Sequence, residues 1–405
     1  MKTKIYSFFL FCVVVMLAQN TNAQSCGARY HDMIFPNVTV HSDVVYSTSN
    51  GTTLKLDVYE PTGDTATMRP LIILAHGGSF YAGSKTTDGT VSTLCNNFAK
   101  RGYVTASIDY RLGNAVQMYL DSNYAITTVL KALSDGKSAT RFFRKDAATT
   151  NTYRINPNLV IAGGNSAGSV LYIHSIYVDS VGELSPALQT IINANGGFEG
   201  NSGNDGYSSE LQALLNCAGG LNQPEFVGPG SKPSVNFQGD ADVTVPYGCA
   251  WPLGGNVKVR LCGLGAIEPF YVANNVNHVS VVFPGDGHVP WDGNVAKLTK
   301  VDTTAANFLY SLICTGQVSS VNDITSDAGV SIYPNPANDQ LNIFISQNDV
   351  YAKVQLMDET GRLVEEKVIS ASTTTFHRGN LSSGLYLARL IRNDGSSIIK
   401  KIIFK

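Results

Sequence analysis

Charge is scarce in this sequence. Asp, Glu, Lys and Arg make up only 15% of its 405 residues, and the net charge is −2. That excludes the basic footprint of a nucleic-acid binder and a polybasic patch for an acidic membrane surface. Long hydrophobic runs are missing too. Past the N-terminus no stretch approaches the ~20 apolar residues that span a bilayer, so no stable membrane span is expected. There is no C-x-x-C pair and no Cys/His cluster, so no metal site is expected.

What the chain does have is glycine, 38 residues of it, and tyrosine, 19. With so little charge, this composition suits a secreted protein with a neutral surface. Lys2 and Lys4 precede an apolar run from Ile5 to Ala18, broken only by Ser7, and small and polar residues follow to Ala23. A positive end, a short apolar core and a small residue at the exit make a signal peptide over 1–23, cleaved near Ala23. Cys12 lies in that leader. Cys26, Cys95, Cys217, Cys249, Cys262 and Cys314 remain, and in an exported chain they suggest disulfides whose pairing is open. Cys249 and Cys262 are nearest in sequence and are the first pair expected.

The chain is organised around Leu159 to Ile173. A short apolar strand passes through Gly163, Gly164 and Asn165 to Ser166, then leaves through Ala167 and Gly168 into an amphipathic helical segment. Gly164 to Gly168 fits G-x-S-x-G, the nucleophile elbow, in which a strand turns sharply into a helix and small residues allow close approach. The alternative reading is an ordinary glycine-rich strand-to-helix turn.

Around this stretch, apolar strands alternate with helical segments. Two strands and a turn fill Val38 to Tyr59. A continuous apolar strand from Pro70 to Ala75 runs into His76-Gly77-Gly78-Ser79. A helix near Val91 to Arg101 leads to the strand ending at Asp109. Leu188 to Ala194 reads as a further strand. The segment from Asn195 to Pro233 reads as a long loop, a lid or a binding insertion, with a short helix over Glu210 to Cys217. Strands end at Gln238 and Phe283, and a helix from Asn294 to Cys314 closes the domain. Alternation of this kind argues for a mostly parallel α/β sheet with helices on both faces, whose ligand sites lie at the carboxyl ends of the strands. The His76 loop, Asp109 and Ser166 all fall at such ends.

A serine hydroxyl becomes a useful nucleophile when a base takes its proton and an acid orients that base. The chain order Ser, acid, His leaves His278, His288 and His377. His377 lies in the C-terminal segment, and His278 starts the last strand, at the wrong end of the sheet. His288, in a glycine-flanked loop after that strand, is the expected base. Asp242 in Gly239-x-x-Asp242-x-x-Val245-Pro246 is the expected acid, ahead of Asp240 and Asp286. Each of these aspartates could instead be a turn residue. Gly78, Ser79 and Ala167 are the expected oxyanion donors, with Gly77 shaping the turn and His76 holding the loop.

On His76-Gly77-Gly78, Asp109 to Leu112, Gly164 to Gly168, Gly239 to Pro246 and Gly287-His288, residues 38–314 resemble the α/β-hydrolase superfamily. The likeness is to carboxylesterases of the hormone-sensitive-lipase type and related bacterial feruloyl or acetyl esterases. It implies a serine carboxylesterase working through an acyl-enzyme without a cofactor, with Asp109 to Arg111 as a structural brace. Ser79 replaces the fourth residue of the lipase-type His-Gly-Gly-Gly, and Asn165 stands where an Asp is usual. The missing apolar lid helix weighs against a lipase, and the missing repeat array against an oligopeptidase.

Residues 316–329 read as a linker. Beyond them, alternating strands are expected at Leu341–Ile345, Ala352–Met357, Leu363–Ile369, Gly384–Ile391 and Ser397–Phe404, with turns at 358–361 and 393–395. They make a small β-sandwich over 330–405. Its residues 333–337, 361–362, 381–386 and 400–405 closely resemble the C-terminal sorting domain of type IX secretion substrates. That implies the type IX machinery as a partner, removal of the tail and a location outside the cell. The domains expected are thus 1–23, 24–315, 316–329 and 330–405. The expected substrate is a small or polysaccharide-linked ester, an acetyl or feruloyl group on plant glycans. The alternatives are a lipase or peptidase of the same fold, or a non-catalytic glycan-binding surface protein. Tyr207, Phe198, Trp251 and Trp291 are candidate pocket walls.

Overall fold

The protein is seen here as a computed structural model that describes residues 26–49, 51–178, 181–314, 330–333, 337–345, 351–358, 363–371, 373–392 and 397–405. The leader, the linker and turn residues 359–361 and 393–395 lie outside the described residues. The chain forms two compact units that part between Ser319 and Ser320.

The large unit begins with the antiparallel pair β1 (Val38–Ser49) and β2 (Thr52–Pro61). Then come β3 (Arg69–Ala75), α1 (Gly89–Lys100), β4 (Val104–Ile108), α2 (Ala115–Leu120), α3 (Ser122–Ala148), β5 (Ile155–Asn165), α4 (Ala167–Tyr177), α5 (Pro186–Ala194), β6 (Ala213–Cys217) and β7 (Ser234–Gly239). The short β8 (Cys249–Ala250), α6 (Pro252–Gly255) and β9 (Leu261–Cys262) precede α7 (Leu264–Ala273), β10 (His278–Phe283) and α8 (Val295–Cys314). One eight-stranded sheet takes the order β1-β2-β4-β3-β5-β6-β7-β10. Its pairs from β4 to β10 are parallel. Each residue of β3, β4, β6 and β7 is buried, as a sheet covered on both faces requires. Two apolar clusters fill the space around it: one holds α3, α4 and α7 residues such as Phe143, Leu171 and Tyr271, the other α1 and α8 residues such as Phe98 and Leu309. This is the α/β-hydrolase fold.

The structure corrects the sequence reading in three places. Leu188 to Ala194 is helical, not a strand: Ser185 caps it by accepting from the Leu188 N–H, and Pro186 opens the first turn, a start signal that fits the helical spacing of Leu188, Ile191 and Ile192. Conversely, Glu210 to Cys217 is no helix, since Ala213–Cys217 is the fully buried β6 between β5 and β7. A short apolar run carries no periodicity to separate the two. Finally, α4 is buried nearly all round rather than amphipathic, because it packs against both the sheet and α3.

Disulfides join Cys26 to Cys314 and Cys249 to Cys262. Cys95 and Cys217 stay as buried thiols rather than pairing, and burial pushes Cys95 up to about 12, so its thiolate is inaccessible.

The small unit has β11 (Val330–Tyr333), β12 (Gln340–Ile345), β13 (Tyr351–Asp358), β14 (Leu363–Val368), β15 (Thr373–His377), β16 (Gly384–Arg392) and β17 (Ser397–Phe404). They form antiparallel sheets β11-β12-β15 and β14-β13-β16-β17 over one core that includes Leu341, Ile343, Val354, Leu356 and Phe376. The strands β11 and β15 are additions to those read from the sequence.

Candidate active site

Ser166 sits between β5 and α4 with φ 53° and ψ −117°. Such a conformation costs a non-glycine residue roughly 1–3 kcal/mol, and it persists only where the surroundings impose it. They do so here through close packing. A Cβ on Gly164 would lie 2.4 Å from the Ala75 carbonyl oxygen, and one on Gly168 only 2.0 Å from the same atom. Both glycines are therefore pressed onto the end of β3. The Ser166 N–H donates to the Cys217 carbonyl at 2.8 Å. Ser169 Oγ donates to the Gly164 carbonyl at 2.5 Å and accepts from the Cys217 N–H at 2.8 Å. The elbow is thus stapled to β6, the segment whose sequence reads as part of a loop and short helix.

His288 follows β10, and its Nε2 lies 2.7 Å from Ser166 Oγ. Its Nδ1 lies 2.7 Å from Asp242 Oδ2. A carboxylate can only accept, so Nδ1 carries the proton and Nε2 turns its lone pair to the serine. Asp242 has a fully buried side chain. Its Oδ1 accepts from the Thr244 and Val245 N–H groups at 2.9 and 3.0 Å, and Gln238 Nε2 donates to Oδ2 at 3.2 Å. The other acids are engaged elsewhere: Asp240 accepts from the Gly285 N–H, and Asp286 pairs with Lys297. His278 binds Glu268 and the Val276 carbonyl, while His377 is on β15 of the small unit.

The loop after β3 is braced from several sides. The His76 Nδ1–H donates to the Gly77 carbonyl at 2.6 Å, and the ring stacks on Tyr110 at 4.3 Å. Burial lowers the His76 pKa below its ordinary 6.5, which keeps the ring neutral. The Tyr110 hydroxyl donates to the His76 carbonyl, and Arg111 grips Asp135. The Gly77 N–H is engaged by Asp88 at 2.8 Å, so it is not an oxyanion donor. Gly78 has φ +114°, and a Cβ there would meet the Ala82 carbonyl oxygen at 2.1 Å. Ser79 also has a positive φ, 54°.

Ser79, Ser166 and Ala167 line one cavity of about 500 Å³, whereas Gly78 is not among its lining residues. The walls are mostly aliphatic: Ile126, Val129, Leu130 and Leu133 on α3, Val170 on α4, and Leu188 and Ile191 on α5. Of the four aromatic wall candidates, Phe198 lines the cavity. Trp291 does not, being fully buried against Phe237 and Phe283, and Tyr207 is not part of the lining either. Trp251 is half exposed beside a separate depression. The walls that sequence reasoning missed are α5, α3 and the segment from Pro252 to Leu261. The Ser-Pro start and the spacing of Leu188, Ile191 and Ile192 could have revealed the first.

Among the described residues no cluster of His, Cys, Asp or Glu could hold a metal ion, and no helix is long and apolar enough to cross a membrane.

A sheet of this order with a serine elbow at the end of its central strand defines an α/β-hydrolase. Residues 56–190 match the BD-FAE family, an esterase domain, and residues 331–405 match the secretion system C-terminal sorting domain. The chain is therefore an esterase-like α/β-hydrolase with a sorting tail. Among solved structures, Thermogutta terrifontis esterase 2 phosphorylated by paraoxon is similar at 23% identity and TM-score 0.50, over 69% of this chain and 95% of that one. The butyrate-bound form of that esterase is similar at 22% identity and TM-score 0.50, over 71% and 98%. This likeness speaks to the fold alone. Among curated proteins, none matches the chain in sequence.

Proposed function

We propose that the protein is a secreted serine carboxylesterase in which Ser166, His288 and Asp242 act as a triad. The observation that carries this reading is the unbroken run of hydrogen bonds from Ser166 Oγ through His288 to the buried Asp242, opening on an apolar cavity. His288 Nε2 takes the Ser166 proton as Oγ bonds to the ester carbonyl carbon. The N–H groups of Ala167 and of the Gly78–Ser79 loop receive the oxyanion. His288 then returns the proton to the leaving alcohol, and water, deprotonated in turn by His288, releases the acid. Asp242 stabilises the imidazolium formed in each half-reaction.

The aliphatic cavity favours an apolar or aromatic acyl group. This agrees with a feruloyl ester on a plant polysaccharide better than with an acetyl one. A lipase-like preference for long acyl chains is the second reading, favoured by the same aliphatic walls and by the short helix α5 that forms one of them. The tail directs the chain to the type IX machinery and is removed on export.

The test is hydrolysis of p-nitrophenyl acetate, butyrate, decanoate and ferulate by the wild-type chain and Ser166→Ala. Activity on butyrate or ferulate that falls at least ~10⁴-fold in the variant is expected. A folded protein inert on all four esters would overturn the reading. A maximum at decanoate would favour the lipase-like alternative.

A further inference from the structure

The cavity beside Ser166 is apolar inside and cationic where it opens. Part of its mouth is the segment between Cys249 and Cys262, which their disulfide closes. The Ser122 hydroxyl at the start of α3 donates to the Lys258 carbonyl at 3.2 Å and ties this segment down. Lys258 and Arg260 line the cavity and are exposed. Both are held in place. Lys258 Nζ donates to the Gly255 carbonyl at 2.7 Å and lies 4.1 Å from the centre of the Trp251 ring. Arg260 reaches the Asn222 carbonyl at 3.4 Å and Cys249 Sγ at 3.3 Å. Neither has a carboxylate partner among the described residues, whereas Lys137, further along the cavity, is paired with Glu199.

Arg260 also lines the neighbouring depression that holds the half-exposed Trp251. Among the described residues no Asp or Glu lines the cavity. Among the described residues the one acid lining the depression is Asp242, whose side chain is fully buried against His288. Two cations fixed at the entrance of an apolar cavity, without counter-charge among the described residues, create a positive field where a substrate must pass. Holding them in place beforehand lowers the entropy cost of binding an anion there.

We propose that Lys258 and Arg260 form a subsite for a carboxylate on the alcohol side of the ester. The substrate class is then an apolar acyl ester of an acidic alcohol, such as a uronic acid residue of a glycan, with the acyl group in the cavity. This inference rests on the esterase reading above.

It is tested with the full chain on a matched pair, the butyrate ester of 3-hydroxybenzoate and neutral phenyl butyrate, followed by acid release. The carboxylated ester is expected to show a KM about three- to tenfold lower, in the range exposed ion pairs provide. The advantage should vanish in Lys258→Gln with Arg260→Gln and shrink in ~0.5 M salt, with the carboxylated ester's KM rising several-fold more than the neutral ester's. Lys258→Arg should retain it. Equal KM values for the pair in the wild-type chain, or a loss that strikes both esters alike, would overturn the subsite. Salt titration of the unmodified chain separates these outcomes even where a variant misfolds. Failure to hydrolyse either ester would sink the esterase reading instead, so the two failures are distinct.

Discussion

Along β3 every residue from Arg69 to Ala75 is buried, whereas along β13 burial falls on Tyr351, Val354 and Leu356 and the other residues are partly open. The difference runs through both units. The large unit buries many polar groups, among them Asp57, His76, Asn165, Ser166, Ser169, Gln238 and Asp242. Among the described residues of the small unit the buried polar group is Thr374. Burying polar atoms costs free energy unless each is hydrogen-bonded, so such groups collect where a site is built. The large unit accepts that cost at the strand ends around Ser166. The small unit has a plain apolar core and lacks any counterpart of the Ser166–His288–Asp242 constellation among its described residues.

The sharpest way to probe this contrast is Asp242→Asn. An amide nitrogen facing His288 would drive the ring proton to Nε2, the atom that accepts from Ser166 in the proposed mechanism. We expect kcat to fall about 10³–10⁴-fold with the unfolding temperature nearly unchanged. Steady-state kinetics with calorimetry checks it, and a loss below tenfold would show that Asp242 does not orient the base. Next comes Leu356→Ala in the small unit. The cavity it leaves should cost about 3–5 kcal/mol of that unit's stability. Ester hydrolysis should stay unchanged, and an equal loss of activity would show that the two units are not independent. A similar asymmetry is expected from reduction. The Cys26–Cys314 bond spans 288 residues, and its loss should cost the large unit about 2–5 kcal/mol. The small unit has no cysteine, so its transition should not move when dithiothreitol is added before a thermal scan.

The smallest effect is that of pH. His174 is half-buried, its Nδ1–H donating to the Val170 carbonyl and its Nε2 accepting from the Asn222 N–H. Burial lowers its pKa and that of His76 below 6.5. The unfolded chain therefore binds more protons than the folded one in the window just below 6.5, and stability drops as pH falls through it. The decline should reach at most about 1.4 kcal/mol per pH unit for each group. Urea unfolding at pH 7.5 and 5.5 measures it. His174→Gln should flatten the slope of the large unit. The small unit buries no histidine among its described residues, so the His174 substitution should leave its transition unmoved.

Local chemistry, read in order along the chain, sufficed for most of the alternation of strands and helices, the strand-to-helix turn at Ser166, and the selection of Asp242 and His288 as the candidates that lie within hydrogen-bond distance of one another and of Ser166. Each of these rests on residue type and spacing within a few positions. The same holds for most of the tail strands, whose period of two is visible wherever one face is buried. The identity of Leu188–Ala194 and Ala213–Cys217 was not legible in this way, because short apolar runs suit either structure until their neighbours are known. Only the tertiary structure decided which carbonyl Gly164 and Gly168 press against, which cysteines pair and which stay buried, and that Trp291 belongs to the core while α5 and the loop 252–261 wall the cavity. Those outcomes depend on residues far apart in the chain meeting across the sheet, and no spacing along the sequence encodes that distance.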